Sequence, residues 1–539
     1  MGDAKNTAAV IAASLAAAGV SSIFGYPGDP TIELMEQARR HGLDVVLACR
    51  EASAAFMAEA YAMLTGKPGV AFSTLGPGST ALVNGVAAAT LDRVPMVAFS
   101  GQIDSSREQF FTHQVVDHKL LYSAITKWAG RVESGAAATT MRKALRIATA
   151  ERPGAVHLTC PSDALTAEAR DADILLPPLG NSISTVSVQR AEGSHDDPRR
   201  ILAAAQRPVF LAGIAAVRGQ ATSALVKAAE VVGAPVVVSP MAKGVFDERH
   251  PYFAGTLDMA CKDVMWALLN TSDLIVTVGF DAVELINPWK LRTPVLHIDA
   301  TPNTDQIYAS ACEVVGDIAA ALDWLTDAWT AQPKWAETDV AEHRLVLRRS
   351  YYEGRVAGRL NPSDVVDVTR AAAPRQTLVT TDVGSHKLLV GQGWTTYQPR
   401  GLLMTNGLSA MGFGVPAAIG AAITDGSRPV VAFVGDGGFA MSATEVRLAA
   451  KLSLPVVFIV LVDGSLNRIE LKQMALGYPS IATRLDDTDL VGLAASMDCE
   501  GVRVSSTDEL ESALAGIETL SRPLVVEARI DPSQYESQF

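Results

Sequence analysis

Short apolar runs alternate with longer stretches of helical periodicity along the whole chain of 539 residues. In the first third, the runs at 22–25, 44–49, 69–74, 96–100 and 155–159 are predicted strands, and 51–64 is a predicted helix. Strands that alternate with helices predict a parallel sheet with helices on both of its faces. The alanine-rich segment 1–20 leads directly into the first strand, so we predict an opening helix rather than a signal peptide.

The same rhythm appears twice more along the chain. Predicted strands occupy 208–211, 235–238, 274–278 and 294–298 in a second block, and 378–381, 429–434, 455–462 and 524–528 in a third. The segment 167–198 is rich in Ser, Asp and Pro and is predicted as a linker, and 332–358 is polar and charged. We therefore predict an α/β fold of three doubly wound parallel-sheet domains, at 1–166, 190–332 and 358–539, with one architecture used three times.

Composition and charge exclude several classes of protein. Hydrophobic residues make up 48% of the chain and charged residues 19%, which is typical of a folded protein. The net charge of −13 argues against nucleic-acid and anionic-membrane partners, and no apolar run is long enough to span a membrane. Five dispersed cysteines without a CxxC pair indicate buried thiols in a reducing compartment, so we expect a cytoplasmic protein.

Candidate chemistry is densest in the third block, where a predicted strand leads into Gly435, Asp436, Gly437 and Gly438. Glycines at the carboxyl end of a strand let a diphosphate approach the backbone, and an aspartate there can bind Mg²⁺. Asp463 ends the next predicted strand, 27 residues later, which is the length of one strand–helix–strand unit. Both aspartates are therefore expected at one edge of adjacent parallel strands, although each motif alone also fits an ordinary turn.

The first block carries candidate residues on its loops. Glu51 follows a predicted strand and opens a helix, and as a plain helix-end charge it would contribute about 0.3–1 kcal/mol. The other loops contain the pair Pro27 and Gly28, the glycine-rich stretch with Gly76 and Gly78, and the sequence His113-Gln114-x-x-Asp117. A lone histidine on a loop is usually only solvated, so His113 gains interest only from its neighbours.

The pair Asp436 and Asp463, with its spacing, resembles the diphosphate motif of thiamine-diphosphate enzymes. This resemblance implies that both carboxylates bind Mg²⁺ and that the carbonyl of Ser465 is the third protein ligand. Many members carry Asn at the second ligand position. In having aspartate at this position, residue 463, the chain resembles the catabolic, flavin-independent acetolactate synthases.

The resemblance covers nearly the whole chain and makes the three blocks the pyrimidine-binding, central and diphosphate-binding domains. It assigns catalysis to Glu51, which would hydrogen-bond the pyrimidine ring, and substrate orientation to Gln114 and His113. Met411 would separate the two cofactor rings, and the carbonyl of Ser409 would accept a bond from the aminopyrimidine. The complete expected cofactor-binding set is Pro27, Gly28, Glu51, Gly78, Ser385, His386, Ser409, Met411, Gly435, Asp436, Gly437, Gly438, Asp463, Ser465 and Leu466.

The expected reaction is decarboxylation of pyruvate, or a similar 2-oxo acid, followed by carboligation to 2-acetolactate. Three alternatives stay open: a simple decarboxylase, a carboligase with another acceptor such as a carboxyethylarginine synthase, which also has His-Gln in this loop, and a non-catalytic subunit. Arg468 and Glu470 differ from the catabolic synthases and leave the acceptor undetermined. The central block resembles a domain that holds FAD in some relatives. However, His113-Gln114-x-x-Asp117 resembles the active-site loop of the flavin-independent acetolactate synthases, whereas flavin-containing synthases have Phe-Gln-Glu there, so FAD is not expected.

The resemblance also implies a homodimer or homotetramer. In the family, the pyrimidine-binding domain of one subunit faces the diphosphate-binding domain of another. Glu51 and Asp436 of one site would therefore come from different chains.

Overall fold

A computed structural model describes residues 5–176, 178–180, 185–190, 197–327, 329–330 and 332–538. The chain forms two compact units. The first consists of Met1–Ser182, Gly407–Ser427 and Ser442–Leu454, and the second of Ile183–Asn406, Arg428–Met441 and Pro455–Phe539. The first unit contains one β-sheet and the second contains two.

The sheet of the first unit has six strands, all parallel: β1 (Ser22–Gly25), β2 (Asp44–Leu47), β3 (Gly69–Ser73), β4 (Met96–Gln102), β5 (Trp128–Arg131) and β6 (Ala155–Pro161). Their order is β2-β1-β3-β4-β6-β5, so the winding direction changes between β1 and β3. The five predicted strands are confirmed to within two residues at their ends. The edge strand β5 was not predicted.

The helices of this part are α1 (Thr7–Ala17), α2 (Ile32–Arg40), α3 (Glu51–Thr65), α4 (Pro77–Leu91), α5 (His118–Ser123), α6 (Ala137–Thr149) and α7 (Ser162–Thr166). The side chain of Asn6 accepts a hydrogen bond from the N–H of Ala9 and thereby caps α1, which confirms the predicted opening helix. Residues 1–4 of that prediction lie outside the described residues. Helix α3 begins at Glu51 and ends at Gly66, whose φ of +70° suits a residue without a side chain.

The second sheet has seven strands: β7 (Val186–Arg190), β8 (Pro208–Ala212), β9 (Val236–Val238), β10 (Phe253–Thr256), β11 (Leu274–Val278), β12 (Val295–Asp299) and β13 (Ser310–Gly316). Strand β7 pairs antiparallel with β13 and lies within the predicted linker, so the linker prediction is wrong there. Val186 and Val188 alternate with polar residues and pack against the core, which explains the strand. Residues 177, 181–184 and 191–196 of that prediction lie outside the described residues.

The order of this sheet is β10-β9-β8-β11-β12-β13-β7. Without the antiparallel edge strand, this is the 3-2-1-4-5-6 winding of dinucleotide-binding folds. This strand order differs from that of the first sheet, but the predicted α/β class of three doubly wound, parallel-dominated sheets is confirmed. The helices that accompany it are α8 (Pro198–Ala204), α9 (Ile214–Arg218), α10 (Thr222–Val232), α11 (Lys262–Thr271), α12 (Ile318–Thr326) and α13 (Glu337–Tyr351).

The third sheet has six parallel strands: β14 (Leu378–Thr381), β15 (Leu402–Met404), β16 (Val430–Gly435), β17 (Val456–Val462), β18 (Glu500–Val504) and β19 (Leu524–Arg529). Its order, β15-β14-β16-β17-β19-β18, repeats the winding of the first sheet. Six of the seven residues of β17 are buried and all are apolar, as expected for a central parallel strand covered on both faces.

The helices in the last part of the chain are α14 (Pro362–Ala372), α15 (Ser385–Gly393), α16 (Gly414–Thr424), α17 (Asp436–Ser442), α18 (Val446–Lys451), α19 (Asn467–Ala475), α20 (Leu490–Ala495) and α21 (Thr507–Leu514). Helices α16 and α18 belong to the first unit, where α16 packs against α3. Among the described residues, no helix is long and apolar enough to cross a membrane.

All five cysteines lie in described parts of the chain and are free thiols. The expectation of buried thiols is confirmed for Cys160, Cys261, Cys312 and Cys499. It is wrong for Cys49, which is exposed at the turn between β2 and α3.

Candidate active site

Asp436 and Asp463 follow adjacent parallel strands at the same edge of the third sheet. Strands β16 and β17 pair in parallel along their whole length, with Gly435 opposite Leu461, which confirms the predicted adjacency. The carboxylate of Asp436 accepts a hydrogen bond from the N–H of Gly437 at 2.8 Å and another from Gly464 at 2.8 Å. The second bond ties the two aspartate loops together.

The two carboxyl groups stand in an environment that disfavours their charges. Burial raises the pKa of Asp463 to about 7, and the negative charge of Asp436 adds to that increase. Burial also raises the pKa of Asp436. A divalent cation would relieve both effects, because it stabilises two neighbouring carboxylates in their charged form.

The donor set limits which metal ion fits. In the described part of the chain, no group of three or more His, Cys, Asp or Glu side chains is arranged to hold a metal ion. Mg²⁺ prefers hard oxygen ligands and is usually bound by one or two carboxylates together with the phosphate oxygens of a bound ligand. The two carboxylates here fit that preference.

The backbone of Ser465 is oriented by a bridge to Arg484. The residues on either side of Ser465 use their outward groups in that bridge: Gly464 accepts from Leu485 N–H at 2.9 Å, and Leu466 donates to Thr483 at 2.7 Å. The N–H of Ser465 points the other way and donates to Asp463 Oδ1 at 3.0 Å. In extended backbone, the N–H and C=O of one residue point to the same side, so this carbonyl faces the side of Asp463.

Glu470 has a structural position behind this loop. Its carboxylate accepts a hydrogen bond from the Ser465 hydroxyl and forms an ion pair with Arg484 at 2.6 Å. The charge at this position therefore supports the loop. Two basic residues of the same segment, Arg468 and Lys472, are both exposed on α19.

His386 lies at the entrance of α15 against two glycines. A β-carbon on Gly384 would lie 2.8 Å from the imidazole ring, and one on Gly435 would lie 3.3 Å away, so the ring fits only beside residues without side chains. Burial lowers the pKa of His386 to about 4, which keeps the ring neutral. Its Nε2 is buried without a hydrogen-bond partner among the described residues. A buried ring nitrogen without a protein partner is available to a ligand group or to a water molecule.

Two further residues shape this edge of the sheet. Ser385 donates from its hydroxyl to Asn467 Oδ1 at 2.8 Å and so connects α15 to α19. Asp382 is fully buried, and its carboxylate lies 2.8 Å from where a β-carbon on Gly438 would stand. Asp382 was not among the predicted site residues, although it lies in the loop that leads to the predicted residues Ser385 and His386.

In the first unit, Glu51 lies against Gly78, and Thr74 lies against both Gly78 and Gly28. A β-carbon on Gly78 would lie 2.9 Å from Glu51 Oε1 and 2.8 Å from Thr74 Cγ2. A β-carbon on Gly28 would lie 2.1 Å from Thr74 Oγ1. Sequence reasoning did not select Thr74, since nothing but its place at a strand end distinguishes it. Pro27, which precedes Gly28, is exposed.

The turn before Glu51 is held by Glu445. The carboxylate of Glu445 accepts hydrogen bonds from the N–H groups of Cys49 at 3.0 Å and Arg50 at 3.2 Å. The Glu51 carboxyl group is half-buried, and this burial raises its pKa. The arrangement fixes the position of a carboxyl group that binds a proton more readily than an exposed one.

The loop with His113 and Gln114 lies beside the glycine-rich loop. Gln114 has a left-handed backbone, with φ of +60°, and its carbonyl oxygen would be 2.6 Å from a β-carbon on Gly76. Both side chains are exposed, and the ring of His113 packs edge-on against Phe111 with centroids 6.3 Å apart. The structure thus brings the backbone of Gln114 close to the loop that contacts Glu51.

The segment with Ser409 and Met411 precedes α16 in the first unit. Ser409 has a left-handed backbone, and the N–H of Gly407 donates to Asp92 at 2.5 Å. Met411 is half-buried, whereas a residue that only fills the core would be fully buried. Helix α16 is anchored on α3 by the edge-on contact of Phe413 with Phe56, at 5.6 Å.

Comparison with known proteins supports the same division of the chain. Family models match at residues 5–121 (thiamine pyrophosphate enzyme, N-terminal TPP binding domain), 198–325 (central domain) and 382–528 (C-terminal TPP binding domain). The chain is 28% identical to an acetolactate synthase of Bacillus subtilis, over 96% of this chain and 91% of that protein. It is 29% identical to a catabolic acetolactate synthase of Raoultella terrigena, over 97% of this chain and 94% of that protein. It is 30% identical to an acetolactate synthase of Mycobacterium bovis, over 92% of this chain and 83% of that protein.

Proposed function

Because the chain belongs to the thiamine pyrophosphate enzymes, we propose that it decarboxylates pyruvate, or a similar 2-oxo acid, and ligates the remainder to a second molecule. The product would be 2-acetolactate or a related 2-hydroxy-2-methyl-3-oxo acid. The observation that carries this proposal is the pair of tied aspartate loops at the ends of β16 and β17, in a chain similar to acetolactate synthases along nearly its whole length.

The residues at this edge fit a magnesium diphosphate. Asp436 and Asp463 would hold the metal ion with the carbonyl of Ser465. The unpaired Nε2 of His386 and the backbone at Gly435, Gly437 and Gly438 would face the diphosphate, together with Ser385 and Leu466. The support for this assignment is a buried nitrogen without a partner and a strand end at which side chains are absent.

The residues of the protein would position the cofactor and the substrates and would transfer protons. The carbon chemistry itself would be supplied by the bound cofactor. When bound, thiamine diphosphate supplies a nucleophilic ring carbon and accepts the electrons released as carbon dioxide leaves. Glu51 would hold a proton at a pyrimidine nitrogen, and its raised pKa suits that role. Gln114 and His113, on the loop beside the Glu51 contacts, would orient the two substrates.

We expect purified protein given pyruvate, Mg²⁺ and thiamine diphosphate to release carbon dioxide and accumulate acetolactate, with acetaldehyde as a minor product. Holding the acceptor beside the reacting carbon makes the ligation effectively intramolecular. Product analysis by NMR measures the ratio of the two products. Dominant acetaldehyde would mean a simple decarboxylase, and reaction only with an added non-pyruvate acceptor would mean another carboligase.

We also propose that the enzyme works without FAD, on the basis of Asp463 and the His113-Gln114-x-x-Asp117 loop. The purified protein is expected to be colourless, and added FAD should leave its activity unchanged. An absorption spectrum and an assay with and without FAD measure this. A yellow protein that loses activity when its flavin is removed would contradict the proposal.

We propose that two chains build each site, so that the enzyme is a homodimer or homotetramer. In support, several apolar side chains of the second unit that follow the loop with Asp463 and Ser465 are more than half exposed, namely Ile469, Met474, Leu476, Tyr478 and Ile481. In the first unit, Val45 and Leu47 are exposed on the edge strand β2. Several large apolar side chains exposed within one short segment favour an interaction face there.

Mixing the inactive variants Glu51→Gln and Asp436→Ala under subunit exchange is expected to restore activity. Each mixed dimer would contain one site with both native residues, so about a quarter of all sites would recover at equal mixing. Activity after mixing and mass by light scattering are the measurements. A fully active monomer at high dilution, or no recovery despite proven exchange, would contradict the shared site.

A further inference from the structure

The middle sheet has the strand order of a dinucleotide-binding fold. In such sheets, ligands bind in the crevice where the winding direction changes, at the carboxyl ends of the two strands there. Here those strands are β8 and β11, which lie side by side in parallel. The sequence after β8 reads Gly213-Ile214-Ala215-Ala216 and lacks the further glycines with which such folds admit a pyrophosphate.

The side chain of Glu284 occupies this crevice. It is 1% exposed and accepts hydrogen bonds from the N–H of Ile214 at 3.0 Å, the N–H of Asp281 at 3.0 Å and the hydroxyl of Ser239. These three donors come from the loops that follow β8, β11 and β9. The carboxyl group of Glu284 thus receives the donors that a phosphate group at a switch point would receive.

Neighbouring backbone donors are also used within the protein. The N–H of Gly213 donates to Val278 at 2.9 Å, and that of Ala215 donates to Gly279 at 2.9 Å. On the loop after β11, the N–H groups of Ile286 and Asn287 both donate to the carboxylate of Asp258 at 2.8 Å. An entering phosphate would have to replace these bonds.

The glycines at this crevice bring backbone against backbone. A β-carbon on Gly213 would lie 2.4 Å from Phe280 Cα and 2.4 Å from Glu284 Oε2. One on Gly279 would lie 2.3 Å from the nitrogen of Ala216. The space that glycines provide for a pyrophosphate in a dinucleotide site is here filled by the protein itself.

We infer that Glu284 is an internal ligand that takes the place of a cofactor phosphate in the middle domain and closes this domain to dinucleotides. The inference concerns the middle domain alone and holds whatever reaction the enzyme catalyses. Burial raises the pKa of Glu284 to about 8, against the opposing effect of its donors. The side chain fills the crevice in either protonation state.

The backbone of Glu284 also contacts a residue of the segment that follows β15 in the third sheet. The backbone carbonyl of Glu284 accepts a hydrogen bond from Asn406 Nδ2 at 2.9 Å. Asn406 Oδ1 in turn accepts from the buried ammonium group of Lys387 at 2.9 Å, one residue after His386. The loop that Glu284 stabilises is therefore part of the support for α15.

The test compares the wild type, Glu284→Gln and Glu284→Ala, each saturated with Mg²⁺ and thiamine diphosphate. Inorganic phosphate is added against chloride at equal ionic strength, and the melting temperature is recorded. Glutamine keeps the crevice filled, so it is the matched control for general salt effects. Alanine opens the crevice, and we expect phosphate to raise the melting temperature of this variant alone, on the order of a few °C.

Equilibrium dialysis with ADP and FAD is expected to give no saturable binding to the wild type in the middle domain. An equal response of all three proteins to phosphate, or tight binding of FAD or ADP by the wild type, would overturn the inference. If Glu284→Ala does not fold, its refolding yield is compared in phosphate and in chloride. Recovery in phosphate alone supports the inference, and equal yields in both overturn it.

Discussion

Replacing Glu51 with glutamine is expected to leave thiamine diphosphate bound while lowering turnover by about 10²–10⁴-fold. Glutamine has nearly the same size, so the contacts with Gly78 and the start of α3 would persist. Glutamine cannot give or take the proton that the proposed role assigns to the carboxyl group. Cofactor affinity by calorimetry and kcat from steady-state kinetics separate the two effects.

A matched control distinguishes catalysis from a helix-end charge. Asp508 is exposed in the first turn of α21, and Asp508→Asn removes a comparable charge from a helix start. We expect this variant to keep normal turnover. Near-normal turnover of Glu51→Gln as well would show that Glu51 serves only the helix end.

Removing the metal ion, or replacing Asp436 with alanine, is expected to abolish cofactor binding and activity together. Asp436 connects both loops of the site through Gly437 and Gly464, and its loss removes one of the two proposed carboxylate ligands. Since changes to residues that merely support a metal ligand cost 10–100-fold in affinity, loss of a ligand should cost at least about 10²-fold. Titration of Mg²⁺ and thiamine diphosphate into chelated protein measures this loss.

Asp463→Asn is the matched control for that experiment. Asparagine keeps an oxygen at the ligand position and removes the carboxyl group whose pKa is raised to about 7. We therefore expect weakened but measurable cofactor binding and partial activity. Full activity of a protein free of both metal and cofactor would refute the metal assignment altogether.

The sequence predicted every inner strand of the first and third sheets, but of their four edge strands, β2, β5, β15 and β18, it predicted only β2. Val456–Val462 is apolar at every position because both faces of the sheet cover it, and that gives a continuous signal. Strands β5 and β18 lie at sheet edges and are only partly buried, so their sequences mix polar and apolar residues. Strand order carries no local signal, which is why the different winding of the middle sheet was missed.

In the candidate site as well, the sequence predicts contacts that follow from local spacing but misses contacts between distant parts of the chain. Asp436 and Asp463 are separated by one strand–helix–strand unit, so their meeting could be predicted from spacing. Glu445 supports the turn before Glu51 across 396 residues of chain, and no local pattern indicates such a bond. Glu284 was likewise invisible, because its donors come from three loops that only the folded sheet brings together.

The first and third sheets share one winding, and the middle sheet has another. This is the result expected from duplication of a single ancestral domain, with a domain of separate origin placed between the two copies. Equivalent strands can then be compared directly: β3 ends beside Thr74, and its counterpart β16 ends at Gly435 and Asp436. On this view, the two copies diverged in the loops after their strands, where one acquired a glutamate and the other a pair of aspartates.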